Sequence, residues 1–165
     1  MTRIKYWVVV RNMISLEDAI LIAIARGVEN IDELSDVLKV DREDILKIVE
    51  KLVREGLIKI EESGWWIFKK SKLVLTQRGF ERASKAMEKL EEVAKFIKEK
   101  VKQGDRDYLN NLSLQWSYLL PLLMWMNLID VFLWTSLIDM DMSENNVSDT
   151  LDIDDSDVDY DAEIF

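Results

Sequence analysis

Cysteine and histidine are both missing from the chain, and proline occurs only once, at Pro121. Without cysteine there are no disulfides and no thiolate nucleophiles. Without histidine there are no imidazole bases, and together the two absences strip nearly every transition-metal site of its usual ligands. Cytosolic proteins need no cysteine, so its absence says little about compartment. The opening stretch MTRIKYWVVVRN carries too short an apolar run for a secretory signal. The first part of the chain is therefore expected in the cytoplasm. Abundant Lys and Glu up to Gly104 suit a thermophilic, archaeal type of protein. The 32 acids show no paired arrangement beyond chance, so no enzyme and no cofactor is expected.

Two further absences are local. Between Asp107 and Asp130 there is no Asp, Glu, Lys or Arg, in a chain that is 33% charged. After Arg106 there is no basic residue at all. Residues 1–104 hold 21 basic and 18 acidic residues, net +3, whereas residues 105–165 hold one basic and 14 acidic residues, net −13. The overall charge of −10 hides this division, and any account of partners has to treat the two parts separately.

Within the first part, secondary structure is well punctuated. Residues Ile4–Val10, IKYWVVV, read as a strand. Ser15 with Glu17 and Asp18 behind it starts a helix over about Leu16–Arg26, ended by Gly27. Asn30 caps a second helix over about Ile31–Leu38, with Glu33 at the capping-box position. Asp41 caps a third, about Arg42–Glu55, whose Ile45, Ile48, Val49, Leu52 and Val53 recur at helical spacing, and Gly56 stops it. Two strand-like runs follow, Leu57–Glu61 and Trp65–Lys69, around a turn at Glu62-Ser63-Gly64. Adjacent Trp65 and Trp66 should then point to opposite faces, one into the core. Leu73–Leu75 adds a short strand. Thr76 then caps a long helix that runs to about Gln103 and stops at Gly104.

The stretch IDELSDVLKVDREDILKIVEKLVREGLIKI, with Leu34, Leu38, Val40, Ile45 and Leu52 at core positions, resembles the winged helix-turn-helix family. LTQRGFERA, Leu75–Ala83, is similar to the family's LTxxG lead-in to the helix after the wing, as in MarR-like and PadR-like regulators. The resemblance covers about residues 15–83. It implies a mainly helical α+β fold with a small β-hairpin, and a DNA-binding transcriptional regulator acting as a homodimer. The fold also serves as a pure protein-binding module in larger assemblies, so function has to come from the site.

In the family the third helix enters the major groove of duplex DNA. Here its leading residues are Asp41, Arg42, Glu43 and Asp44, three acids out of four, which opposes a polyanion. Arg42, Lys47 and Lys51 are the candidates for contact from this helix. The wing offers Lys69, Lys70 and Lys72, followed by Arg78, Arg82 and Lys85, with Arg3, Lys5 and Arg11 as further candidates for a phosphate-facing surface. The long helix carries Phe80, Ala83, Met87, Leu90, Ala94, Ile97 and Val101 in alternating steps of three and four, a heptad seam expected to build a dimer.

The domain organisation expected is a winged helix over 1–78, a dimerisation helix over 79–104, an uncharged helical segment over 105–138 and an acidic tail over 139–165. The run 110–138 is long enough to span a bilayer, with basic residues before it and only acids after it. Pro121, Asn127 and Asp130 lie inside it and tell against a span. The preferred expectation is a helix hidden against a second copy or another protein through Trp116, Leu120, Trp125, Phe132 and Trp134. The alternative is a membrane tether with the winged helix in the cytoplasm. The tail holds 11 acids and no base and is expected to be disordered on its own. Asp152, Asp154, Ser156 and Glu163 match a calcium-loop spacing, but Asp157 stands where that loop needs glycine, so no metal site is expected. The tail reads instead as a solubiliser or as a strip covering the basic face.

Overall fold

The computed structural model describes residues 14–65, 67, 69–108, 111, 117–130, 132, 133 and 135. The strand expected at Ile4–Val10, the residues Trp66, Trp116 and Trp134, and the acidic tail lie outside the described residues. Within them the chain is mainly helical, with one two-stranded antiparallel hairpin, an α+β arrangement. The order is α1 (Leu16–Ala25), α2 (Ile31–Leu38), α3 (Arg42–Arg54), β1 (Ile58–Ser63), β2 (Lys70–Leu75), α4 (Gln77–Gln103) and α5 (Leu119–Trp125).

Local capping chemistry sets most of these limits. Ser15 Oγ accepts the Asp18 N–H at 3.1 Å, and Asn30 Oδ1 accepts the Glu33 N–H at 2.8 Å. Glu33 reaches back to the Glu29 N–H at 3.3 Å, one residue before the box position. Asp41 occupies the N-cap of α3 but makes no side-chain capping bond, so the expected cap there is positional only. Thr76 is the busiest cap. Its Oγ1 accepts the Gly79 N–H at 3.1 Å and donates to the Gly56 carbonyl at 2.7 Å, which ties the start of α4 to the end of α3. Gly104 closes α4 in the left-handed region, φ 68°, which glycine adopts without a Cβ penalty.

The hairpin differs from the sequence expectation. Ile58 pairs with Leu75, Ile60 with Leu73 and Ser63 with Lys70, so Trp65, Ile67 and Lys69, expected on a strand, lie outside both strands. Leu73 and Ile58 supply the reason, since this register buries both at the edge of the core. Two backbone bonds hold it: Leu73 N–H to the Glu29 carbonyl at 2.8 Å, and Thr76 N–H to the Leu57 carbonyl at 3.1 Å. Trp65 therefore stands at the hairpin tip, away from the core.

One apolar cluster runs from Ile14 to Ile129. α1 lies at its centre, with Ala19 through Ala23 fully enclosed, because α2, α3, α4, α5 and β2 all pack around it. The uncharged run contributes to this cluster. Leu119, Leu122 and Leu123 are fully buried against α1 and α2. Tyr118 Oη donates to the Ile14 carbonyl at 2.8 Å.

In place of one long helix, the described part of the run forms the short helix α5, packed on the chain's own core. Pro121 sits in the first turn of α5, where its missing N–H costs nothing. Asn127 in the left-handed region, φ 57°, follows the end of the helix. Asp130 is exposed, and its Oδ1 accepts the Leu133 N–H at 2.7 Å, starting a new turn at the surface. Among the described residues no helix is long and apolar enough to cross a membrane.

Candidate interaction face

α3 turns Ile45, Val49 and Leu52 inward and leaves Arg42, Glu43, Asp44, Lys47, Glu50, Lys51 and Arg54 outward. Across 31–54, the two helices and their turn hold seven acids and five bases. Three of the five bases are tied down. Arg42 Nε donates to Asp32 Oδ1 at 2.7 Å and Lys47 lies 3.5 Å from Asp44. Lys51 bonds Glu17 on α1 and lies 3.9 Å from Glu55.

Several cations of the hairpin and α4 are engaged in the same way. Lys69 lies 3.6 Å from Glu62, Lys72 bonds Glu29, and Arg78 reaches the Glu55 carbonyl at 3.4 Å. Arg82 bridges Glu17 at 3.0 Å and Asp18 at 2.8 Å. Among the described candidates, Lys70 and Lys85 make no ion pair, and Arg78 bonds only a backbone carbonyl.

The cluster of Glu17, Asp18, Lys51 and Arg82 joins α1, α3 and α4. The Lys51 ammonium, and with it Arg82, holds the Glu17 carboxyl below its usual value against the opposing effect of partial burial. Glu17 in turn raises Lys51. Burial pushes Arg82 down, but its two carboxylate partners outweigh this and leave it raised. These residues brace three helices, a structural use of cations that the sequence marks only as basic.

Between α3 and the hairpin lies an open groove of about 500 Å³. Ile31, Leu46, Val49, Val53, Ile60 and Leu73 form its apolar wall, and Glu29, Asp32, Arg42, Glu50 and Arg54 its charged rim. Ile60 is 56% exposed despite lying on a strand. Sequence reasoning passed over Ile60 and Leu46. The signal for Ile60 was present, since strand alternation puts it on the same face as Ile58. The pairing of Arg42 with Asp32 and of Arg82 with Glu17 had no such signal, because the partners lie 10 and 65 residues apart.

Of the seam on α4, Leu90, Ala94 and Ile97 are buried within the single chain. Met87 and Val101 pack on the same core, and Met87 Sδ accepts from Arg26 at 3.6 Å. Phe80 alone of the seven is exposed, at 55%. The helix thus spends its apolar stripe on α1 and on the segment beyond Gly104, where Tyr108 meets Phe96 edge-on with ring centroids 5.2 Å apart. Of the residues expected to touch a partner or membrane, Leu120 is buried, Trp125 is partly exposed and Phe132 is exposed. No family model, no curated protein and no solved structure matches the chain, so this face has to be interpreted from its own chemistry.

Proposed function

We propose that residues 15–83 form a winged helix-turn-helix domain used as a protein-interaction module, with the groove between α3 and the hairpin as its binding surface. The order of three helices, hairpin and long helix, together with the LTQRG lead-in, supports the fold. One observation carries the choice of protein over DNA. The face that would meet the major groove exposes Glu43, Asp44 and Glu50, and three of its four cations, Arg42, Lys47 and Lys51, already sit on carboxylates. A duplex must displace those partners while facing Glu43 and Glu50 as well, which opposes the counterion-release gain that drives DNA binding. The groove offers what a protein partner uses: apolar surface in a concave site with a charged rim. It fits an amphipathic segment that lays two or three apolar side chains along Leu46, Val53 and Ile60.

Selecting amphipathic peptides from a random library against the full chain tests this. Selected peptides should lose at least tenfold in affinity on Leu46→Asp or Ile60→Asp. The same chain should show no salt-sensitive binding to duplex DNA. The second reading, a dimeric DNA-binding regulator, is favoured by the wing, where Lys70 has no carboxylate partner among the described residues and the Lys69–Glu62 pair is exposed and weak. DNA affinity that falls steeply with rising salt, and falls again on Lys70→Glu, would establish that reading in place of the first.

A further inference from the structure

The hairpin tip is the least explained surface. Ile67 is 86% and Trp65 84% exposed, the two highest values among the large apolar residues described. Lys69, Lys70 and Lys72 follow directly, and no acid occurs from Gly64 to Lys72. On α4, by contrast, the basic residues are interleaved with acids, Lys85, Lys89 and Lys95 alternating with Glu88, Glu91 and Glu92. A small projecting surface that is both apolar and cationic selects a segment that is both apolar and anionic.

We infer that this tip is the docking site for the chain's own acidic segment, residues 149–165. That segment carries eight acids and no base, and it sets Leu151, Ile153, Val158, Tyr160, Ile164 and Phe165 among them. Its carboxylates suit the three lysines, and its apolar side chains suit Trp65 and Ile67. Several carboxylates arriving together displace the exposed partners of Lys69 and Lys72, Glu62 at 3.6 Å and Glu29, while Lys70 has no ion pair to give up among the described residues. Reach is ample. About 30 residues follow Thr135, an extended span of roughly 100 Å, against a radius of gyration of about 14 Å for a body of this size. Tethering raises the local concentration of the segment to about millimolar, enough to fill a weak site. The inference does not depend on whether the domain binds protein or DNA, since neither the groove nor α3 enters it.

Zero-length carbodiimide cross-linking of the full chain tests it, because that reagent joins a lysine only to a carboxylate already in contact. At low salt, the acids of 149–163 should couple to Lys69, Lys70 or Lys72. Yield should fall at least fivefold in 0.5 M salt, and at least threefold in a Trp65→Ser, Ile67→Ser double variant that keeps every lysine. Both substitutions lie in an exposed loop, and circular dichroism checks that the fold survives them. A mixture of isotopically light and heavy chains should give cross-links within one chain. Coupling to Lys85–Lys102 instead, or yields unchanged by the double variant, would overturn the inference. Mixed light–heavy cross-links would make a second copy the occupant. If the tail gives no cross-links and the full chain sediments with phosphatidylglycerol vesicles through Trp65 and Ile67, an anionic lipid surface is the occupant and the inference fails.

Discussion

Gly79 shows how much one absent side chain can decide. A Cβ at this position would stand 2.0 Å from the Leu57 carbonyl oxygen, a backbone atom that cannot swing away. The glycine of the LTQRG stretch is thus a packing requirement, because α4 crosses the start of the hairpin backbone to backbone. Gly79→Ala should destabilise the chain by about 2–3 kcal/mol despite the better helix propensity of alanine, read from denaturant unfolding. A neutral result would mean that α4 does not approach Leu57 so closely. Tyr118 is the second such residue. Burial, assisted by the Asp18 charge, pushes its phenol from 10.0 up to about 12. A phenol raised in the folded state contributes fully below its ordinary value, and that contribution is lost as pH climbs from 10 towards 12. Tyr118→Phe should cost about 1 kcal/mol at neutral pH through the lost bond to Ile14, and should blunt the alkaline loss.

Among the elements, the brace of α1, α3 and α4 ties stability to acid. Glu17 sits below its ordinary value of 4.5, so its contribution is present above that value and disappears as pH falls through the lowered one. Glu17→Gln should therefore cost up to about 1 kcal/mol at pH 7, the cluster being partly open to solvent, and should flatten the fall in stability as pH drops below 4.5. Thermal melts across that range decide it, and parallel curves for both chains would remove the brace from the account. The helix ends were legible from sequence because capping is local: Ser15, Asn30, Thr76 and Gly104 act on neighbours within three or four residues. The hairpin was misplaced because Ser63-Gly64 is a convincing turn, whereas register is decided by burying Leu73 against a distant helix and by a bond to Glu29. The basic candidates were legible as basic but not as occupied, since their partners come from other elements.

At the scale of the molecule, the heptad seam on α4 and the uncharged run raised the same question and had the same answer. Each demanded burial, and neither pattern states against what. Within the single chain, α1 covers Leu90, Ala94 and Ile97 of the seam, and α1 with α2 covers Leu119, Leu122 and Leu123. Leu90→Ala and Leu122→Ala should each lower stability by about 2–5 kcal/mol, as buried leucines do, with a melting temperature independent of protein concentration. A melting temperature that rises with concentration would show that a second copy shares this core. The charge division has no counterpart in the described fold, because its acidic end lies outside the described residues.

The bond from Tyr118 to Ile14 joins residues 104 positions apart. A chain emerging from the ribosome at about 5–20 residues per second exposes α1 and α2 for several seconds before α5 arrives to cover them. The slowest event in reaching the native state should therefore be this closure and not helix formation, since long loops delay the contacts that complete a core. Nascent chains stopped before Leu119 should be the species that chaperones hold and proteases cut, and release from both should coincide with synthesis of the segment through Ile129.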